Sequence, residues 1–257
     1  MKDPTAENFV DRVVVFIDLL GFTEIVKNAC LGSNSDFDRV RASIRAMSFG
    51  RFMINSGPFG GHDLLTPEAQ ATVFSDCIVI SDLNRPAEVG CLLSNVAWLC
   101  GMLLRDRISC RGGVATELTL HNEHVVCGMG LINAYTLEHD AAIYPRIVVQ
   151  DDLLQHATGI LAPRLKRDSD GLWFIDAFNE LRMPEDLNAV MSEDSWAASL
   201  ATIPDVAAFG SIREFLITAL KENDQDLRKR IKYRWLANQF NEATIEYVPS
   251  RIEFISL

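Results

Sequence analysis

The stretch VVVFIDLLGFTEIV, from Val13 to Val26, constrains this chain more than any other. Val13, Val14, Val15, Phe16 and Ile17 form an unbroken apolar run, mostly β-branched, that ends before a glycine-bearing turn at Gly21. Such a run reads as a fully buried strand. It ends on Asp18, where a lone buried carboxylate costs several kcal/mol unless something pairs with it. Both the fold and a partner for that acid must come from the rest of the sequence.

Strand and helix patterns alternate after residues 12–18. Phe37, Val40, Ile44 and Met47 fall at helical spacing within 35–54, and Ser35 or Asp36 can cap that helix. The loop SGPFGGHDLLTPE (56–68) leads to ATVFSDCIVIS (71–81), two apolar runs around Ser75-Asp76 that predict a tight hairpin. Residues 86–107 open on Pro86 and read as a largely buried helix. Strand patterns follow at 111–120 and 124–127, a helix entered through glycines at 128–142, and strands at 145–150 and 171–178. This order predicts an α/β (α+β) fold with a mixed sheet on a ferredoxin-like plan. Residues 1–184 are expected to form this domain, and 185–257 a C-terminal helical extension packed on it. That extension carries helical patterns at 192–203, 211–223 and 224–243, with Arg228, Lys229, Arg230, Lys232 and Arg234 clustered on the last.

Composition narrows the function classes. A net charge of -11 argues against sequence-independent nucleic-acid binding, which needs a basic footprint. A hydrophobic share of 48% and a charged share of 23% are ordinary for a globular protein. No apolar run approaches the ~20 residues that span a bilayer, and the start MKDPTAENFVDR lacks a signal-peptide layout. No membrane insertion and a cytoplasmic location are expected. The six cysteines form no CxxC pair and read as reduced core thiols. His121, His124 and His139 read as exposed turn histidines. A GxSxG elbow and a P-loop are both absent from the sequence.

Asp76 shares the setting of Asp18, an acid interrupting β-rich apolar sequence. If their strands are neighbours, the two carboxylates meet at one edge. They can then share a proton, pair with Lys or Arg, or bind a hard cation.

FIDLLGFTEI (16–25) and VFSDCIVIS (73–81) resemble the two metal-binding signatures of class III nucleotide cyclases, RGGVATE (111–117) resembles their following strand, and GMGLINAYTLE (128–138) their Gly-led helix. The resemblance covers about residues 12–150 and implies a class III cyclase fold. It implies that Asp18, Asp76 and the carbonyl of Leu19 hold two divalent cations, Mn2+ or Mg2+. It also implies that backbone N–H groups of Gly21, Phe22 and Thr23 cradle a triphosphate.

Departures redirect the substrate. Thr136 stands where the family's transition-state arginine falls in one register, and Leu137 in the other. Thr72 and Val125 occupy the two purine-reading positions, and neither matches the residue of an adenylate or guanylate cyclase. With AYTLE and the late KYRWLANQFN, the chain is similar to the pyrimidine nucleotide cyclases of bacterial Pycsar anti-phage systems. That likeness implies conversion of UTP or CTP to the cyclic monophosphate, a homodimer with composite active sites, and a separate effector activated downstream. Tyr135 would narrow the base pocket, and Arg111 would replace the missing arginine. An atypical adenylate or guanylate cyclase, or a non-catalytic nucleotide-sensing or dimerisation module, stands as the alternative.

Overall fold

The protein was analysed as a computed structural model that describes residues 8–56, 68–157, 164–184, 202–249 and 251–257. The chain divides into two compact units, Met1–Asp176 and Ala177–Leu257.

The first unit is built on β1 (Val10–Leu19), α1 (Phe22–Cys30), α2 (Asn34–Ser56), β2 (Gln70–Phe74), β3 (Cys77–Leu83), α3 (Pro86–Arg105) and β4 (Cys110–His121). Within the sheet the order is β2-β3-β1-β4, and each of these pairings is antiparallel. Two helix-bearing crossovers joining those four strands make the ferredoxin-like plan that the sequence predicts. β5 (Val126–Gly128) folds back on β4 as a hairpin, and α4 (Met129–Thr136) follows, ending in a π-helical turn over Leu137–Ala141. β6 (Ile147–Val149) runs parallel to β4, and β8 (Trp173–Ile175) and β7 (Leu165–Arg167) extend the sheet antiparallel. The result is an eight-stranded mixed sheet.

The run at Val13–Ile17 forms the middle of this sheet because its side chains are apolar on both faces; none is more than 7% exposed. Val14 and Phe16 pack with Val79, Ala115 and Ala134 of α4 on one face. Strand alternation sends Val13, Val15 and Ile17 to the other. α3 is long and apolar enough, by length and composition, to cross a bilayer. Val89, Leu92, Leu93, Val96 and Leu103 are instead fully buried in the unit, as expected of a core helix. The cysteines are free thiols, although Cys30 is exposed, and Cys100 and Cys110 lie 3.8 Å apart in the core.

In the second unit β9 (Arg182–Pro184) pairs with β10 (Thr202–Pro204). The helix expected at 192–203 falls mainly outside the described residues, and its last two positions belong to β10. α5 (Val206–Glu222) is capped by Asp205, whose carboxylate accepts from the N–H of Ala208, and α6 (Leu227–Tyr247) by Asp226. Phe178, Phe209 and Phe240 stack together as its core. Asn241 makes two hydrogen bonds to the backbone of Ile255, which ties the tail to α6.

Candidate metal and phosphate site

Three strand ends meet at Asp18. In register it sits between Cys77 of β3 and Arg111 of β4. Side chains directly opposite each other in antiparallel strands share a face, so all three emerge on the α4 side. Asp76 arrives through the two-residue hairpin connection Ser75-Asp76, in which Ser75 takes a positive φ of 53°. The N–H of Leu19 donates to the carbonyl of Asp76 at 2.9 Å and locks the hairpin to the end of β1. Ligand atoms of Asp18, Asp76 and Cys77 consequently lie within 4.8 Å of one another.

A fourth member comes from α4. Gly113, two residues after Arg111 on the same face, lies so close to this helix that a Cβ there would sit 2.3 Å from the carbonyl oxygen of Ala134. Only glycine permits that approach, and it lowers the π-helical turn onto the sheet. Glu138, 2% exposed, thereby meets the Arg111 guanidinium at 2.6 Å, while the same Nε lies 3.1 Å from Asp18. Sequence reasoning did not assign Glu138 or Cys77 a role; the glycine two residues beyond Arg111 was the available signal.

Three carboxylates around one guanidinium leave the cluster two charges negative. The Cys77 thiol registers this: burial, then Asp18, Asp76 and Glu138, push it up to about 12, opposed only by Arg111. Hard cations prefer carboxylate and carbonyl oxygens. Asp18 and Asp76 therefore suit a hard divalent cation, and they are the carboxylate pair expected from the sequence.

α1 begins four residues beyond the acid. Gly21 caps it at φ 76°, and no side chain bonds to the exposed donors. The first donors inside the helix are Glu24 and Ile25, both to the carbonyl of Gly21 at 3.1 Å. The N–H groups of Phe22 and Thr23 thus precede the helix's own ladder, and a Cβ at Gly21 would meet nothing within 4 Å. Open space, free donors and the positive end of a helix dipole make an anion-accepting corner beside the acidic cluster.

The remaining candidates lie on β2, on α4 and in the β4–β5 turn. Tyr135 stands half exposed on α4 with its ring edge-on to Phe16, centroids 5.4 Å apart. Thr72 of β2 is not open on all sides, because His121 Nε2 lies 3.0 Å from its hydroxyl. Val125 lies exposed in the β4–β5 turn. Thr136 bonds back to the carbonyl of Ile132 at 2.8 Å. His121 is a correction: it is buried, not an exposed turn histidine, whereas His124 and His139 are exposed as expected.

No protein-family profile matches the chain, and no curated protein sequence matches it. Among solved structures it is similar to one described as a class III adenylyl cyclase-like ATP-binding protein from Pseudomonas aeruginosa, at 15% identity and a TM-score of 0.35. That similarity covers 59% of this chain and 35% of the other. At that level it carries no argument about ligand or activity.

Proposed function

We propose that this chain is a metal-dependent nucleotide cyclase that converts a pyrimidine nucleoside triphosphate, UTP before CTP, to its 3',5'-cyclic monophosphate. The observation that carries the reading is the meeting of Asp18 and Asp76, in a cluster two charges negative, beside the start of α1, whose first N–H groups no side chain caps. Cations and a polyphosphate would each complete what the other leaves unbalanced there.

Asp18, Asp76 and the carbonyl of Leu19 would hold two Mn2+ or Mg2+ ions. Bound there, such ions supply Lewis acidity at the ribose hydroxyl and the α-phosphate. The N–H groups of Gly21, Phe22 and Thr23 hold the triphosphate by hydrogen bonds at the positive end of the α1 dipole. With cations held by Asp18, Arg111 would keep Glu138 as its anchor and would present its guanidinium N–H groups to phosphate oxygens. Tyr135, Thr72 and Val125 would contact the base.

α4 exposes Met129, Ile132 and Tyr135 at helical spacing. That apolar stripe supports a homodimer in which each copy completes the other's site. A cytoplasmic signalling role in anti-phage defence, with a separate cyclic-nucleotide-activated effector, belongs to the same proposal. Binding without turnover is the second reading, favoured by Thr136 standing where the family's arginine falls. An adenylate or guanylate cyclase with atypical base contacts is the third.

Incubating the protein with ATP, GTP, CTP and UTP in turn, with Mn2+, and weighing the products separates these readings. Cyclic UMP or cyclic CMP is expected. No cyclic product from any triphosphate leaves the sensing module, and cyclic AMP or GMP alone removes the pyrimidine claim.

A further inference from the structure

A second polar construction lies on the same sheet face, away from the carboxylates. Arg12, 4% exposed, donates to the Ser81 hydroxyl at 3.1 Å and to the carbonyl of Glu68 at 2.9 and 3.0 Å. Ser81 Oγ lies 2.8 Å from His121 Nδ1, and His121 Nε2 lies 3.0 Å from Thr72 Oγ1. These four side chains come from four segments, and His121 reaches past β1 to touch both β3 and β2.

The direction of every bond in this chain follows from the donors available. A guanidinium only donates, so the Ser81 oxygen accepts from Arg12. The Ser81 proton then needs an acceptor. Ser81 is fully buried, and among the described residues its hydroxyl has only His121 Nδ1 left to meet. Nδ1 therefore accepts, and the neutral imidazole carries its proton on Nε2. The opposite tautomer would strand a hydroxyl proton in a dry site. Nε2–H donates to Thr72, whose oxygen accepts and whose own proton is left for an outside acceptor. Burial, and then Arg12, push the imidazole down to about 4. It stays neutral near pH 7, and the direction does not reverse.

We infer that Arg12, Ser81 and His121 form a one-way hydrogen-bond relay that fills one acceptor site of Thr72 and leaves its hydroxyl proton turned outward, so that a bound base is read there through a carbonyl oxygen. This rests on the reading of Thr72 as a base contact given above. Thr72 pairs with Val79, two residues from Cys77. Its hydroxyl therefore stands about 7 Å along the strand direction from the level of Asp18, on the same face. That offset suits a base whose phosphates lie over the acids. Uracil offers a carbonyl at both ring positions where cytosine offers one carbonyl and one amino group. A hydroxyl whose proton points outward donates to uracil in either setting, whereas cytosine's amino group must use the single lone pair that His121 leaves and wastes that proton. His121 is a positioning residue in this arrangement, and Thr72 sets the specificity.

Two measurements test the relay on the full chain. Long-range proton–nitrogen spectra at pH 7 should show His121 as a neutral imidazole protonated on Nε2. Protonation on Nδ1, or an imidazolium, overturns the relay. Titration with the α,β-methylene analogues of UTP and CTP in Mn2+ should show the uridine analogue binding more tightly. Thr72→Val, nearly isosteric, should cut that preference about tenfold, the worth of one neutral hydrogen bond. His121→Phe should do the same with Mn2+ affinity unchanged, and His121→Gln should recover part of it. Equal binding of both analogues by the unmodified protein overturns the specificity claim. Binding of neither, with His121 still protonated on Nε2, overturns instead the nucleotide reading on which the claim rests.

Discussion

Arg111 is the residue at which the competing electrostatics of this site meet. It stands between Asp18 and Glu138 as the single positive charge among three carboxylates. Arg111→Gln should therefore do two opposite things. Removing the counter-charge should tighten Mn2+ binding severalfold by calorimetry. Stripping that counter-charge from the buried Glu138 should also lower stability by about 2 kcal/mol in denaturant melts. A variant that loses Mn2+ affinity would show that Arg111 orders the ligands instead of competing with cations for them. Asp18→Asn and Asp76→Asn should each remove Mn2+ binding and cut turnover at least about a thousandfold, with the fold retained. The thiol beside them behaves differently from its neighbours in sequence. At pH 8 without metal, iodoacetamide should modify the exposed Cys30 and leave Cys77 untouched, since Cys77 is pushed up to about 12. Mass mapping of the adducts reads this directly.

Among the elements, the approach of α4 to β4 decides whether the site exists. Gly113 is its contact point, and a Cβ there would also sit 2.6 Å from the Cβ of Leu137. Gly113→Ala must lift the end of α4, at a cost of about 1–3 kcal/mol by urea unfolding. It should also separate Glu138 from Arg111 and alter Mn2+ affinity. An alanine variant with unchanged stability and unchanged Mn2+ binding would contradict this account. Gly21 is needed for another reason, since its surroundings are open and only its φ of 76° is demanding. Gly21→Ala should cost about 1 kcal/mol through the backbone alone. A much larger loss would mean that the start of α1 carries packing not seen here.

For the molecule as a whole, the buried relay links stability to pH. The His121 imidazole lies below its ordinary value of 6.5, at about 4, through burial and through Arg12. Between those values the unfolded chain binds a proton that the folded chain refuses, so stability rises with pH there. The contribution is complete above about pH 6.5 and is lost as pH falls toward 4, by up to about 3 kcal/mol at 1.36 kcal/mol per unit. Denaturant melts at pH 7 and pH 4.5 should show a larger loss for the unmodified protein than for His121→Gln. Equal losses would remove His121 from the explanation. The proposed homodimer also belongs to this scale: light scattering should give a dimer mass, and Tyr135→Asp on the exposed face of α4 should shift it toward monomer.

What the sequence determined by itself was local in origin. Five apolar residues before Asp18, and two apolar runs around Ser75-Asp76, specify a buried strand and a tight hairpin through alternation and turn chemistry alone. The βα, ββ, α, β order then leaves few ways to arrange four strands, and the carboxylates of Asp18 and Asp76 converge in the register that results. The partners of Arg111 and Thr72 were not legible in this way. Glu138 reaches Arg111 only because Gly113 admits α4 against the sheet, and His121 reaches Thr72 across 49 residues of chain only because β4 continues past β1. Such contacts depend on how closely two finished elements approach each other. Periodicity encodes which face of an element is apolar, and it carries no measure of that distance.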